Sequence, residues 1–383
     1  MKLLHLAQRG VSTGQLLTLA IKYPGYVANF LRRRLRLGSA YRSSKVTSVD
    51  TVLFELTYRC NLKCPSCWFY GTNGLVRNGT TPLEELNTAE VKQVLLKLKD
   101  AYPLVNFTGG EPFLRKDFLE IVRYCRKIGL PVSVNTNGVL INDFGIEDVL
   151  DAGFVSINIS LDGVGDVHDK SRGVKCFDKV AENIILLTKS RKGKLPILKI
   201  GLTVNNFNFS HIPEVCDFAN QVGVDVFQVQ HQWFLGDKDV QEHNSRFSTI
   251  FGQDCPLLSG YVSDAHGHID TEELIRQIDI IKAGTTPMRV EVFPDLGADE
   301  IRRYYSDEYY PKIRCGNPWH SITIMPDGNV APCLGFVVGN LKDHDLMTIL
   351  NGNKFVDFRE RLLKAGHWRG CIRCCGYYSY PII

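Results

Sequence analysis

The sequence predicts an α/β protein: an open or partial barrel of six β/α units followed by a small cysteine-rich domain. Three observations lead there. Six short β-rich runs alternate with amphipathic helices between residue 49 and about residue 236. Polar motifs follow the ends of those runs, which is where folds of this kind place their chemistry. Cysteine, glycine and aromatic residues concentrate from about residue 313 onward. A doubly wound sheet is the alternative arrangement of the same units.

With 383 residues, 44% hydrophobic and 22% charged, the chain has an ordinary globular profile that excludes wholesale disorder, a collagen and a disulfide miniprotein. Four regions follow from the pattern: a basic arm at 1–48, the barrel at 49–236, a mixed and acidic connection at 237–312 that completes the barrel edge, and a cysteine-rich domain at 313–383. No run of 18 apolar residues exists, so no membrane span is expected. The apolar stretch 16–31 is broken by Lys22, Pro24 and Gly25 and followed by Arg32–Arg34, which is not a signal-peptide layout. A cytoplasmic, reducing location is expected, and there the clustered members of the twelve cysteines favour metal ligation over disulfides.

Net charge is +4, but residues 1–49 carry nine Lys or Arg and no acid, so the rest of the chain is slightly acidic. Residues 13–22 and 26–37 read as two short helices interrupted at Tyr23-Pro24-Gly25. Tyr26, Phe30, Leu31 and Leu35 lie beside the Arg32–Arg36 run. Such a basic helix suits an anionic membrane surface, here the inner face of the membrane. Its rivals are a helix packed on the barrel, a partner-docking helix and, least favoured, a nucleic-acid-binding arm.

The strands are expected at 51–57, 103–107, 131–135, 154–161, 197–204 and 225–230. Each is mostly apolar, as strands buried on both faces should be. Between them, Val91, Val94, Leu95 and Leu98 form a helical stripe that starts at an Asn87/Glu90 capping box. Phe118, Ile121, Val122 and Cys125 form a second, closed by Gly129 and Pro131, and Ile212, Val215, Cys216 and Ala219 a third. Repeated strand–helix alternation predicts a parallel sheet with right-handed crossovers.

The first strand runs into Cys60, Cys64 and Cys67, a C-x3-C-x2-C loop. Three thiolates on a short loop hold three irons of a [4Fe–4S] cube and leave the fourth iron open. Zinc would want a fourth Cys or His close by, and none follows Cys67 closely. After the second strand comes Gly109-Gly110-Glu111-Pro112, where paired glycines let a ligand approach the backbone. The third strand leads to Asn135-Thr136-Asn137-Gly138. The fourth ends in Ser160-Leu161-Asp162-Gly163, with His168, Asp169 and Arg172 beyond, and the fifth in Thr203-Val204-Asn205-Asn206. The sixth strand ends in Gln228, Gln230, His231 and Trp233, placed to point into the barrel as substrate contacts, with His231 a candidate proton carrier.

A second cysteine set lies near the end. Ile322–Met325 and Val330–Cys333 read as a hairpin turning at Pro326-Asp327-Gly328, which returns Cys315 and Cys333 to one locality. Helical packing from Leu346 to Phe358 brings back Cys371 and Cys374. The result is a four-thiolate site, with a zinc ribbon as rival and Cys375 competing with Cys374 as ligand. Cys125 and Cys216 fall on apolar helix stripes and read as core; Cys176 and Cys255 are assigned no function.

Together these motifs resemble the radical SAM superfamily: Cys60, Cys64 and Cys67, then Gly-Gly-Glu-Pro at 109–112, then Ser-x-Asp-Gly at 160–163. The C-terminal pattern, C-x12-G-x4-C and then C-x2-C, is similar to the Twitch domain, the half-sized relative of the SPASM domain. The resemblance implies a partial (β/α)6 barrel with a small iron–sulfur domain of hairpin plus helix. It implies a [4Fe–4S] cluster on Cys60, Cys64 and Cys67 chelated by S-adenosylmethionine (SAM), and a single auxiliary [4Fe–4S] cluster on Cys315, Cys333, Cys371 and Cys374. By the same resemblance Gly109, Gly110 and Glu111 line the methionyl amino group. Ser160 and Arg172 serve its carboxylate, Asn137 and Asp162 the ribose or its loops, and Val204 and Asn205 flank the adenine. The family usually has an aromatic residue just before the third cysteine. Here Ser66 stands there and Trp68 follows instead as the substitute.

The implied chemistry is reductive cleavage of SAM to a 5′-deoxyadenosyl radical that abstracts a hydrogen atom from substrate, with flavodoxin or ferredoxin as reducing partner. A fully ligated auxiliary cluster favours net oxidation or bond formation, with epimerisation still open. A lipid, a lipid-linked saccharide or a sugar or aminocyclitol is the expected substrate. Maturation of a ribosomally made peptide is the alternative, weakened because only 48 residues precede the first strand where a winged-helix leader-binding domain of about 80 residues would stand. A non-catalytic electron-transfer or RNA-binding protein is the reading from another class, opposed by the complete SAM motif set.

Overall fold

The computed structural model describes residues 13–382 except 42, 80–83, 264, 308 and 334. Seven strands run parallel and in sequence order: β1 Thr51–Thr57, β2 Leu104–Gly109, β3 Val132–Thr136, β4 Phe154–Ser160, β5 Ile197–Thr203, β6 Val226–Gln230 and β7 Arg289–Phe293. The helices Thr88–Leu98, Phe118–Lys127 and Ile212–Val222 bury the expected stripes, and the Asn87/Glu90 capping box closes as the sequence predicts. The connection 237–312 completes the barrel edge by supplying β7, a strand the sequence reading did not name.

The cysteine-rich region does not stand apart from this sheet. After a two-residue strand β8, Arg314–Cys315, comes the hairpin of β9, Ser321–Ile324, and β10, Asn329–Ala331. β9 pairs in parallel with β1, and β10 carries β11, Gly339–Asn340, on its far side. The sheet therefore has ten strands in the order β11-β10-β9-β1-β2-β3-β4-β5-β6-β7. β12, Pro381–Ile382, folds back on β8 and ties the last residues to Cys315.

One expectation about the strands is corrected. They are not apolar on both faces. Val52, Phe54, Leu56, Phe107, Val134, Ile157, Ile159, Ile200, Leu202, Phe227 and Val229 point to the helices and form the core. Because side chains alternate along a strand, the other face points into the barrel. It carries Glu55, Asn106, Ser133, Asn135, Asn158, Gln228, Gln230 and Glu291. Neighbouring strands join across that face through Ser133 Oγ to Asn106 and Asn158 Nδ2 to Asn135, both at 3.0 Å. The barrel encloses a polar chamber.

The arm forms two helices, α1 Thr13–Lys22 and α2 Pro24–Ala40, and packs under the barrel. The following contacts of its described residues are at the strands' N-terminal ends. Leu19 and Tyr23 bury against Val155 and Leu195, and Tyr23 Oη donates to the Gly153 carbonyl. Gln15 reaches Asp225, and Asn29 donates to the Ala101 carbonyl at 2.7 Å. Gly25 lies under the Tyr102 ring, where a Cβ would sit 2.6 Å from a ring carbon. Tyr26 is half-buried and Phe30 buried, so this part of the face expected to meet a membrane is covered, while Leu31 of the same face is exposed. Leu17 and Ile21 remain exposed. The side chains of 33–40, Leu35 among them, and residues 1–12 lie outside the described residues. No helix among the described residues is long and apolar enough to cross a membrane.

Candidate active site

The first loop leaves β1 and turns back on itself through Cys60, Cys64 and Cys67, all three half-buried. Cys67 N–H donates to the Cys64 carbonyl, closing the turn between them. The sulfurs face hydrogen-bond donors. Leu62 N–H lies 3.4 Å from Cys60 Sγ and Asn137 Nδ2 3.9 Å from it, while Arg172 Nη1 lies 3.9 Å from Cys64 Sγ. Burial pushes the Cys60 thiol up to about 12. A thiolate there needs a cation to compensate desolvation, and donors aimed at sulfur fit a metal-bound thiolate. The residues suit an iron–sulfur cluster.

The glycine pair after β2 holds the cysteine loop. Gly109 holds φ +120°, and a Cβ on Gly110 would lie 2.0 Å from the Arg59 carbonyl oxygen. The backbone that approaches them is the chain's own cysteine loop. Gly110 N–H and Glu111 N–H donate to the carbonyls of Thr57 and Arg59 and pin that loop's entry. Glu111 is fully buried; its Oε1 accepts from Thr136 Oγ1 at 2.7 Å and Phe113 N–H at 3.1 Å, its Oε2 from Asn137 N–H at 2.7 Å. Burial raises its carboxyl to about 7 against the pull of these donors. Glu111 thereby fixes Asn137, whose Nδ2 donates to Asn61 inside the cysteine loop at 2.8 Å.

Arg172 and Asp162 form a buried ion pair at 2.8 Å beside Cys64. Asp162 Oδ1 also accepts from Thr203 N–H, and its own N–H donates to His168 Nδ1. Ser160 stands half-buried at the end of β4. Val204 is fully buried in the apolar core. Asn205 spends both polar atoms on its own turn, accepting from Phe207 N–H and donating to the Thr203 carbonyl. Both side chains help to build the loop after β5.

Trp68 stacks on Phe69 and, at 5.5 Å and 10°, on Tyr261, which stacks in turn on Trp233 at 4.0 Å and 26°. The segment carrying Tyr261 can lie this close because Gly260 packs on the Trp68 backbone; a Cβ there would meet its carbonyl at 2.4 Å. Trp68, half-buried, thus packs on protein rings on this side. His231 is buried against Tyr304 and Tyr305, with Nδ1 2.9 Å from the Tyr305 hydroxyl. Burial lowers its imidazole to about 3. It stays neutral near physiological pH, at odds with the expected proton carrier. Gln228 and Gln230 line the chamber across from Gly201 and Thr203. Sequence reasoning missed Glu55 and Tyr261. A lone acid in an apolar run signalled the first; no motif marks the second.

Cys315, Cys333, Cys371 and Cys374 line one cavity with Pro318, Trp368 and Tyr377. Cys374 is the one of the adjacent pair that faces it; Cys375 is exposed. Among the described residues no group of three or more His, Cys, Asp or Glu side chains is arranged to hold a single metal ion. Four thiols spaced around an apolar-walled cavity suit a polynuclear cluster better than one zinc ion.

Comparison with known proteins agrees with this geometry. The radical SAM superfamily model matches residues 54–228, and the iron–sulfur cluster-binding SPASM domain model matches residues 315–375. The chain is similar to Fe-coproporphyrin III synthase of Methanosarcina barkeri, 31% identical over 189 residues, covering 48% of this chain and 44% of that one. It spans about half the length of such curated relatives. A PqqA peptide cyclase of Xanthomonas euvesicatoria pv. vesicatoria is 25% identical over 331 residues, covering 84% of this chain and 79% of the relative. Among solved structures, Streptococcus suis SuiB bound to S-adenosylmethionine shares the fold with a TM-score of 0.60 at 16% identity, covering 86% of this chain and 72% of that chain. A [4Fe–4S] cluster, SAM and an auxiliary cluster come with the two matched domains, and such an enzyme needs an external reductant. The chain belongs to the radical SAM superfamily of enzymes and carries a SPASM-type iron–sulfur cluster domain.

Proposed function

We propose that this enzyme modifies a peptide or protein substrate. The observation that carries the reading is the inward face of the barrel: Asn106, Asn135 and Asn158, paired in part through Ser133 and one another, keep further neutral donors and acceptors, as do Gln228 and Gln230. A peptide backbone satisfies such a wall. An acyl chain would strand it, at about 1–3 kcal/mol for each buried group left without a partner. A saccharide would also satisfy the wall, but the PqqA peptide cyclases align over most of this chain and so favour the peptide. When bound, the cluster and SAM supply the organic radical that takes a hydrogen atom. Cys60, Cys64 and Cys67 would hold that cluster, and Cys315, Cys333, Cys371 and Cys374 the auxiliary one. Arg172 and Ser160 would receive the SAM carboxylate. Flavodoxin or ferredoxin would deliver the electron. Leu17, Ile21 and Leu31 are the exposed apolar side chains that the described part of the arm offers a membrane surface; binding to anionic vesicles that survives their replacement by serine would remove that role.

The test is anaerobic incubation of the reconstituted enzyme with SAM, reductant and a deuterated peptide fraction from a cell extract. Deuterium in 5′-deoxyadenosine is expected. Its absence with peptides and presence with a lipid or sugar fraction would replace the peptide reading.

A further inference from the structure

Apart from the cysteines, two of the buried polar atoms that are left without a partner among the described residues lie on Glu55 and Trp233. Glu55 is the single acid of β1, lies on the inward face opposite Thr108 of β2, and is only 6% exposed. Its Oε2 has no hydrogen-bond partner among the described residues, nor has the buried Nε1 of Trp233. The Trp233 ring stacks on Tyr261, and Glu55 is among the charges that raise the Tyr261 hydroxyl, after burial and Cys375. Tyr261 in turn stacks on Trp68, the residue after Cys67. Leaving two such groups unsatisfied costs about 1–3 kcal/mol each, and packing alone supplies no reason for an acid and an indole N–H here.

We propose that Glu55 and Trp233 form a subsite for an amide group of the substrate, next to the loop that carries the radical source. The inference rests on the peptide reading and sharpens it. An amide offers one acceptor and one donor in a plane. The indole N–H of Trp233 donates to its carbonyl, and Glu55 Oε2 accepts from its N–H. Burial, reinforced by Asp327 on the β9–β10 turn, raises the Glu55 carboxyl to about 8, so it is mostly neutral at pH 7. A neutral carboxyl matches a neutral amide rather than an ammonium group, which would want a charged partner.

The experiment uses the fully loaded enzyme with a pool of acetylated, carboxamide-ended octapeptides, read by KM and by deuterium in 5′-deoxyadenosine. Trp233→Phe keeps the ring stack and removes only the donor; Glu55→Ala removes the acceptor; Glu55→Gln keeps an acceptor without charge. We expect KM about tenfold higher for the first two and near wild type for the third, at equal iron content. Infrared difference spectra should show a protonated carboxyl band that shifts when peptide is added and is missing in Glu55→Gln. If Glu55→Ala loses iron, Trp233→Phe and the infrared band carry the test. Equal KM in all three variants and an unmoved band, while the wild type still processes peptide, would overturn the subsite alone. No peptide processed by the wild type would overturn the peptide reading and the subsite with it.

Discussion

The two cysteine sites of this molecule differ in how they are held. Cys60, Cys64 and Cys67 sit half-buried on a loop whose shape comes from hydrogen bonds, through Glu111, Asn137, Gly109 and Gly110. Cys315 and Cys371 are buried, and the cavity they share with Cys333 and Cys374 has apolar and aromatic walls supplied by Trp368, Leu362 and Tyr377. A site that must admit a ligand is stabilised from behind, by polar groups on neighbouring strands. A site closed by protein is stabilised by packing. The difference should appear when each is broken.

The largest effects come from the cysteines. Cys64→Ala should reduce 5′-deoxyadenosine release to background while the auxiliary iron stays, counted by iron per chain and Mössbauer spectra. Cys333→Ala should remove auxiliary iron and lower the thermal midpoint, because it opens a hole among aromatic residues. If either variant emptied both sites, the two would not be separate units.

Next comes the polar support of the open loop. Glu111→Ala leaves Thr136 Oγ1 and the N–H groups of Phe113 and Asn137 unpaired, an expected loss of about 3 kcal/mol in urea denaturation, against about 1 kcal/mol for Glu111→Gln. Arg172→Lys keeps the charge but loses the planar fork that spans Asp162 and Cys64. About tenfold slower SAM cleavage is expected from initial rates of 5′-deoxyadenosine formation.

A smaller effect separates the chamber from both sites by pH. The folded-state carboxyl of Glu55 is raised from 4.5 to about 8. Its contribution to stability is therefore fully present below pH 4.5 and lost as pH rises through about 8. The thermal midpoint of Glu55→Gln should fall less between pH 6 and 9 than that of the wild type. His231 and His168, both lowered from 6.5 to about 3, add a slope that ends near pH 6.5 and is common to both proteins, so it cancels in the comparison. Identical slopes would show that Glu55 carries no raised pKa. The smallest effect belongs to the arm. Replacing exposed Leu17 and Ile21 with serine should change stability by no more than about 0.5 kcal/mol, whereas Tyr23→Ala, which empties a buried contact under β4, should cost about 3 kcal/mol in urea denaturation.

Much of this was legible in the sequence, for reasons particular to each element. All six expected strands form within two residues of their expected ends, because their apolar runs are bounded by turn residues. β7 went unnamed although Arg289-Val-Glu-Val-Phe alternates cleanly; its acidic surroundings hid it. The inward polar face was missed because short runs containing Val, Ile and Phe look apolar as a whole, while Asn106, Asn135 and Asn158 each sit alone in theirs. The cysteine spacings were readable because ligation fixes them locally. The stack of Trp68, Tyr261 and Trp233 was not, since its rings meet only through tertiary packing. The arm misled because Tyr26 and Phe30 look the same whether the surface they cover is lipid or protein.

That arm has a consequence for traffic. With α1 and α2 packed on residues at the strands' N-terminal ends, the described part of the arm stands at the end of the barrel opposite the cysteine loop. Traffic of cofactor and substrate is therefore expected at the loop end, so that both use the same approach to the barrel.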